Sequence, residues 1–434
     1  MLSSYLAVFR GPNRSVRLYM VSAAIVGLTT YGGIYATLSN LFLVRLGYGP
    51  EFIGLVNAVG SVGWAVFCLP IGWLGTRWGP RRVMIAGLVA LSLSNALMPL
   101  AGLIPRGWDA PWLVGVNVIG AAGMAAFIVE SNPFLMAASS FEERRHVYAA
   151  ASAVWPLSAF VGGILAGVMP GLYAAATGVP LTEVAPYRFP LLVAAALTVP
   201  AVLVMQGTEQ TPRFVSRPSA SAGASGPPRA AAGRLPLGLI MILTLALSLQ
   251  VCSEASVRTF FNVYLDTGLG VPTVQIGLLM AISQVVAVLP VLAMPALLMR
   301  LGNGRAFVWT SLAVAATLVP MALVARVGVA ALAYVGTIAL AFMARPAIQM
   351  YQMEAVKPAW RNAMAGTTAA GTGLGWAVVG LGGGFLIMAR GYPSMFLAAA
   401  GLTALGALVF QAHLWARGRR DGSKAPRVDE MEPL

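Results

Sequence analysis

Long apolar runs, broken by short polar or Gly/Pro-rich segments, set the pattern of this chain. Runs of about 20 residues or more can each cross roughly 30 Å of hydrocarbon as a helix. They fall near residues 18–45, 51–75, 83–104, 112–138, 148–171 and 187–206, then 237–264, 273–299, 305–326, 328–354, 362–389 and 392–415. The pattern predicts an all-α membrane protein of twelve spans. One break is long: residues 207–236, rich in Ser, Gly, Ala and Pro between Arg217 and Pro228, lack the apolar bulk to bury themselves and read as a flexible linker. The expected organisation is therefore a six-helix half at 1–206, a linker at 207–236, a second six-helix half at 237–416 and a polar, disordered tail at 417–434.

The polar breaks repeat. The loop from Gly72 to Arg82 has a worn copy from Pro295 to Arg305: Leu74, Arg77, Gly79 and Arg82 return 223 positions later as Leu297, Arg300, Gly302 and Arg305. Ile53, Gly54 and Leu55 return at the same offset as Ile276, Gly277 and Leu278. The two halves are copies of one unit, with twelve spans as two sets of six.

Composition agrees with the span pattern and adds an orientation. With 58% hydrophobic residues, 10% charged and a mean hydropathy of +0.79, the chain lacks the polar surface of a soluble domain. If both termini are cytoplasmic, the inner loops hold most of the Lys and Arg, and the outer ends keep only Arg45, Arg106, Arg188, Arg326 and Arg390. Short loops rich in these residues stay inside, so both termini are expected in the cytoplasm and the protein in the plasma, or inner, membrane. The formal charge of +14 is dispersed over those loops, which fits a lipid bilayer as partner and not nucleic acid. Cys68 and Cys252 have no metal-ligand spacing, and no catalytic triad, metal cluster or phosphate loop is present. Neither a cofactor, a metal nor an enzymatic activity is expected, and the protein is expected to be a monomer.

Twelve spans, a central linker and the doubled loop resemble the major facilitator superfamily of secondary transporters. In that family the loop reads Gly-x-Leu-Ala-Asp-Arg-x-Gly-Arg-Arg/Lys, and this chain supplies Gly72, Leu74, Arg77, Gly79, Arg81 and Arg82. Thr76 stands at the acidic position, and Pro80 enters the basic run. The resemblance implies two six-helix bundles that rock about a midplane site, and a cytoplasmic gate loop that holds the halves together in the outward-open state. Arg300, Gly302 and Arg305 would be its second copy. Signatures of the drug antiporters are missing: Val114 to Gly120 in span 4 has no Arg, and Ala159 to Gly163 in span 5 lacks Gly-Pro.

Ionisable side chains deep in a bilayer are costly unless paired or wet, which makes Glu130, Glu254, Arg258 and Arg345 candidates for substrate or coupling charges. Glu254 and Arg258 are spaced i,i+4 in the order that favours pairing, and a self-satisfied pair is the alternative. Their repeat positions in span 1 are Tyr31 and Tyr35. Spans 4 and 10 line the cavity of the resembled fold, so Glu130 and Arg345 are expected to meet there or to hold opposite ends of a substrate. For Glu130, a contact to Arg144, Arg145 or a helix end stays open. Asn40, Asn57, Asn132, Trp155, Asn262, Gln284, Gln349 and Trp376 are further cavity candidates, each polar one equally suited to an interhelical hydrogen bond. Glycines at 162, 163, 371, 373, 375 and 382–384 are expected to let spans 5 and 11 pack closely.

Together these readings predict a transporter that moves a small organic solute, with a lean toward an anion or zwitterion, by alternating access. Protons are the expected coupling ion if there is one, carried by Glu254 or Glu130 and gated by Arg258 or Arg345. The alternatives are an exporter of drug-like compounds and a membrane sensor or scaffold on the same fold.

Overall fold

A computed structural model describes residues 13–139, 143–209, 237–356 and 360–422. Most of the expected linker and the last twelve residues of the tail lie outside them. Among the described residues every regular element is helical: α1 (Arg14–Thr29), α2 (Ile34–Arg45), α3 (Pro50–Trp78), α4 (Pro80–Leu97), α5 (Asp109–Ala138), α6 (Arg144–Thr177) and α7 (Ala185–Gln206) form the first half. The second comprises α8 (Leu237–Val263), α9 (Thr273–Val286), α10 (Val288–Leu323), α11 (Val327–Ala355), α12 (Arg361–Arg390) and α13 (Tyr392–Gly422).

These helices make the expected crossings, with breaks that periodicity does not reveal. Eleven segments are long and apolar enough to span a membrane, and the shorter α9 continues past Ala287 into α10 to make the twelfth. Within α10 the chain turns at Gly302, whose φ of 74° and ψ of 162° end span 8 and start span 9. Gly79, at φ 86° and ψ 146°, makes the same turn between α3 and α4. A side chain is disfavoured in that backbone region, so glycine survives at both copies. The duplication is thus a repeated backbone event as well as a repeated sequence.

Span 1 departs from the expected continuous helix. It breaks at Thr30–Gly33 between α1 and α2, with Gly32 at φ 83°. A Cβ at Gly32 would lie 2.0 Å from Gln284 Nε2, so the unwound turn is filled by a polar side chain from α9. Two boundaries also move. Residues 207–209 belong to the first half, because Thr208 accepts from Arg81 Nε at 3.0 Å and the Glu209 amide donates to Ser15 Oγ at 3.0 Å. The last helix runs to Gly422, past the expected start of the tail at 417.

The halves meet along two helix pairs, α3 with α12 and α6 with α9. Close approach requires glycine at the crossing points: a Cβ at Gly54 would lie 2.0 Å from the Gly380 carbonyl, and one at Gly277 would lie 2.5 Å from Gly167 Cα. Side chains then tie the halves on the face opposite the termini. Asn40 donates to the Thr259 carbonyl at 2.7 Å and Asn262 to the Thr37 carbonyl at 2.8 Å, a reciprocal exchange between spans 1 and 7. Further out, Arg45 forks onto Asp266 at 2.6 and 2.8 Å, and Tyr187 shares a 2.9 Å hydrogen bond with Thr273. The lateral surface is apolar: Leu332 is 78% exposed and Met299 83%, positions suited to hydrocarbon and not to water.

Candidate functional site

Between the halves lies a chamber of about 740 Å³, within the size range of small-molecule sites. The first half contributes a neutral polar wall that includes Tyr31, Asn40, Asn57, Asn95 and Asn117, with Trp64. The second contributes Glu254, Arg258, Gln284, Tyr334, Arg345 and Trp376. All the charged side chains of the lining, Glu254, Arg258 and Arg345, stand on that second wall.

Glu254 and Arg258 project from one face of α8, one turn apart, and Arg345 reaches across from α11. Arg258 Nε donates to Glu254 Oε1 at 2.9 Å, and Arg345 Nη2 donates to both carboxylate oxygens at 2.8 and 2.9 Å. The Glu254 side chain is 3% exposed, that of Arg258 19% and that of Arg345 45%. The carboxylate is therefore sealed behind its arginines, while Arg345 is enclosed by protein but wetted by the chamber. Both guanidiniums lie over the Phe342 ring, at 5.6 and 5.1 Å from its centroid. The Tyr31 hydroxyl lies against Arg345 from the opposite half. One carboxylate between two guanidiniums leaves one positive charge in excess. Each guanidinium has five N–H donors, and Glu254 takes only the Nε of Arg258 and the Nη2 of Arg345. A planar fork with spare donors suits a carboxylate or another oxyanion.

Glu254 and Arg258 are thus a pair, but not an isolated one, since Arg345 joins them. Tyr31, Gln284 and Trp376 line the chamber, as do Tyr35 and Asn40, though these two are also committed to structure. Tyr35 donates to the carbonyls of Asn95 and Leu191, and Asn40 ties span 1 to span 7. Asn262, 1% exposed, is spent on the reciprocal tie and is not part of the lining. Trp155 sits behind the wall, edge-on to Tyr31 at 5.2 Å. Asn132 and Gln349 are exposed and lie outside the lining.

Glu130 is a correction. It does not meet Arg345, whose acid is Glu254, and it is not in the chamber lining. It is 3% exposed and packed against α3, where a Cβ at Gly75 would lie 2.1 Å from Glu130 Oε1. Gly75 is a third departure from the resembled loop, which has Ala there, and the carboxyl of Glu130 occupies the space that methyl would fill.

Within the gate loop, Gly72 is open and Leu74 packs with Ile71 and Val83. Arg77 lies 5.5 Å from the Trp73 ring centroid. Arg81 binds inside its own half, to Thr208 and to the Gln206 carbonyl at 2.5 Å, at the C-terminal end of α7. Arg82, Arg300, Gly302 and Arg305 are exposed. The span pattern missed Trp64, Asn95, Tyr334 and Asp266. Asp266 carried a signal, because it is an acid at the end of span 7 while Arg45 is a base at the end of its repeat partner, span 1.

A model of the Major Facilitator Superfamily matches residues 19–369. The chain belongs to that superfamily. Its members are transporters, and the chain is a multi-pass membrane protein with their fold. A crystal structure of a D-xylose-proton symporter has a TM-score of 0.71 at 15% identity, over 92% of this chain and 96% of that one. The nucleoside transporter NupG has a TM-score of 0.68 at 16% identity, over 92% and 99%. A bacterial homolog of the human lysosomal transporter Spinster, inward-facing and occupied, has a TM-score of 0.68 at 14% identity, over 93% and 97%. At such identities the likeness is one of fold. No curated protein matches the chain by sequence.

Proposed function

We propose that this superfamily member is a secondary active transporter that moves a small organic anion or zwitterion across the cytoplasmic membrane by alternating access. The observation that carries the reading is the excess positive charge of Glu254, Arg258 and Arg345 on one wall of the chamber. A neutral solute would displace the water at Arg345 and leave that charge unanswered, whereas an oxyanion answers it through the spare N–H donors. The neutral wall of asparagines and Trp64 then serves the uncharged body of the solute.

The direction in which the chamber faces follows from the ties between the halves. With both termini cytoplasmic, as the basic loops favour, the bonds at Asn40, Asn262, Arg45 and Tyr187 lie toward the outside. This arrangement is inward-facing, and the outward-facing state requires those ties to break. The basic inner loops favour the plasma membrane, and the reading takes the protein as a monomer with protons as the coupling ion.

The test is a thermal-shift panel of matched organic acids, their primary amides and their amines on the purified protein, followed by counterflow of a stabilising acid in proteoliposomes. Acids are expected to stabilise and exchange while their amides do neither. Stabilisation by amides or amines alone would remove the anion reading, and binding without exchange would remove transport.

A further inference from the structure

Glu130 is an ionisable side chain of the first half for which the chamber has no use. It sits about two turns from the end of α5 near the termini, 3% exposed. Among the described residues no hydrogen-bond donor or cation reaches its carboxyl: no bond to it is seen from α3, α4, α6 or α1. The groups those helices carry nearby are otherwise engaged. Arg77 lies over Trp73, Arg81 is held at the end of α7, Arg144 donates to the Met136 carbonyl, and Tyr148 donates to the Asn132 carbonyl. Tyr19 stacks on Phe127 and packs at a tilt against Phe134, and these two rings flank Glu130 on α5. Arg82 and His146 are exposed, Glu143 is half-buried, and the Arg145 side chain lies outside the described residues.

An ionised carboxylate without a partner in such a place loses its solvation with nothing to replace it. The neutral acid does not bear that loss. The carboxyl also lies against Gly75, a gate-loop residue that starts the last turn of α3. Any movement of that turn changes how much water reaches Glu130, and because the ionised carboxylate needs that water, ionisation favours the turn moved off the carboxyl.

We propose that Glu130 is a proton-binding site separate from the solute chamber, protonated in this conformation, and that loss of its proton releases the gate loop at Gly75. On release the O–H bond of the carboxyl breaks and the proton passes to water at the face carrying the termini. The proposal deepens the transport reading by naming the coupling-ion site, and it makes proton and solute compete through the gate and not for one residue.

The test needs no solute. Infrared difference spectra of the purified protein, wild type minus Glu130→Gln, are expected to contain the carbonyl stretch of a neutral carboxylic acid at neutral pH, lost on alkaline titration. Maleimide labelling of Thr76→Cys, in a background lacking Cys68 and Cys252 and with each rate divided by that of a free thiol at the same pH, is expected to accelerate over the same titration. It should lose that pH dependence when Glu130→Gln is added, and keep it with Arg145→Gln. A carboxylate band in place of the acid band, or labelling whose pH dependence survives Glu130→Gln, would overturn the proposal. Neither result depends on whether the chamber binds an anion, so the two readings fail separately.

Discussion

Spans 1 and 7 occupy equivalent places in the duplicated unit but differ in chemistry. Span 7 carries Glu254 and Arg258 on an unbroken helix, while the same register in span 1 carries Tyr31 and Tyr35 beside a break at Thr30–Gly33. Duplication therefore supplied the scaffold symmetrically: the Gly79 and Gly302 turns match, and Asn40 and Asn262 exchange equivalent hydrogen bonds. The charges were placed on one side only. A chamber charged on one wall and neutral on the other orients a solute, because its ionic end has one place to go.

Removing the acid that holds the charged wall should have the largest effect. Glu254→Gln leaves Arg258 and Arg345 facing each other without a counter-charge, an expected loss of about 3 kcal/mol after allowing for water at Arg345. It is checked by thermal unfolding in detergent. The tie between spans 1 and 7 comes next: Arg45 and Asp266 should couple by about 1–2 kcal/mol in a double-mutant cycle. Asp266→Asn alone should speed the reaction of a membrane-impermeant thiol reagent with a single cysteine introduced at the outer end of span 7, in a background lacking Cys68 and Cys252. The symmetric part of the comparison is tested by Gly79→Ala and Gly302→Ala. A Cβ would meet nothing within 4 Å at either position, so backbone strain alone should cost about 1–3 kcal/mol at each. Clearly unequal losses in unfolding experiments would mean that the two turns are not equivalent. The smallest effect is expected at the neutral wall, where Tyr31→Phe removes one hydroxyl beside Arg345 and should weaken binding of a stabilising acid about fivefold, or about 1 kcal/mol, by calorimetry.

Much of the fold was legible because hydrophobic span length and the doubled loop are strong one-dimensional signals. Turns at Gly79 and Gly302 were visible as repeated glycines, and all twelve crossings were placed. The break in span 1 was not, because Gly32 and Gly33 sit in an apolar run whose conformation is decided by Gln284 from another span. The candidate site divided along the same line. Glu254 with Arg258 was readable from i,i+4 spacing, which is local. Arg345 with Glu254, and Glu130 with Gly75, are contacts between helices, and residue depth alone suggested the wrong partner for Arg345. Asn262 illustrates the remaining ambiguity: a polar residue in a span suits a chamber or a helix contact equally, and only packing decides.

The excess positive charge is tested most directly by two variants that leave the cluster with different net charges. Glu254→Ala with Arg258→Ala removes a neutral pair and keeps Arg345, whereas Arg345→Ala keeps a neutral pair and removes the excess. Calorimetric titration of folded, monodisperse protein with an acid that stabilises the wild type should find binding retained in the double variant and lost in Arg345→Ala. Binding retained in Arg345→Ala, or lost equally in both, would contradict a site built on one unbalanced arginine.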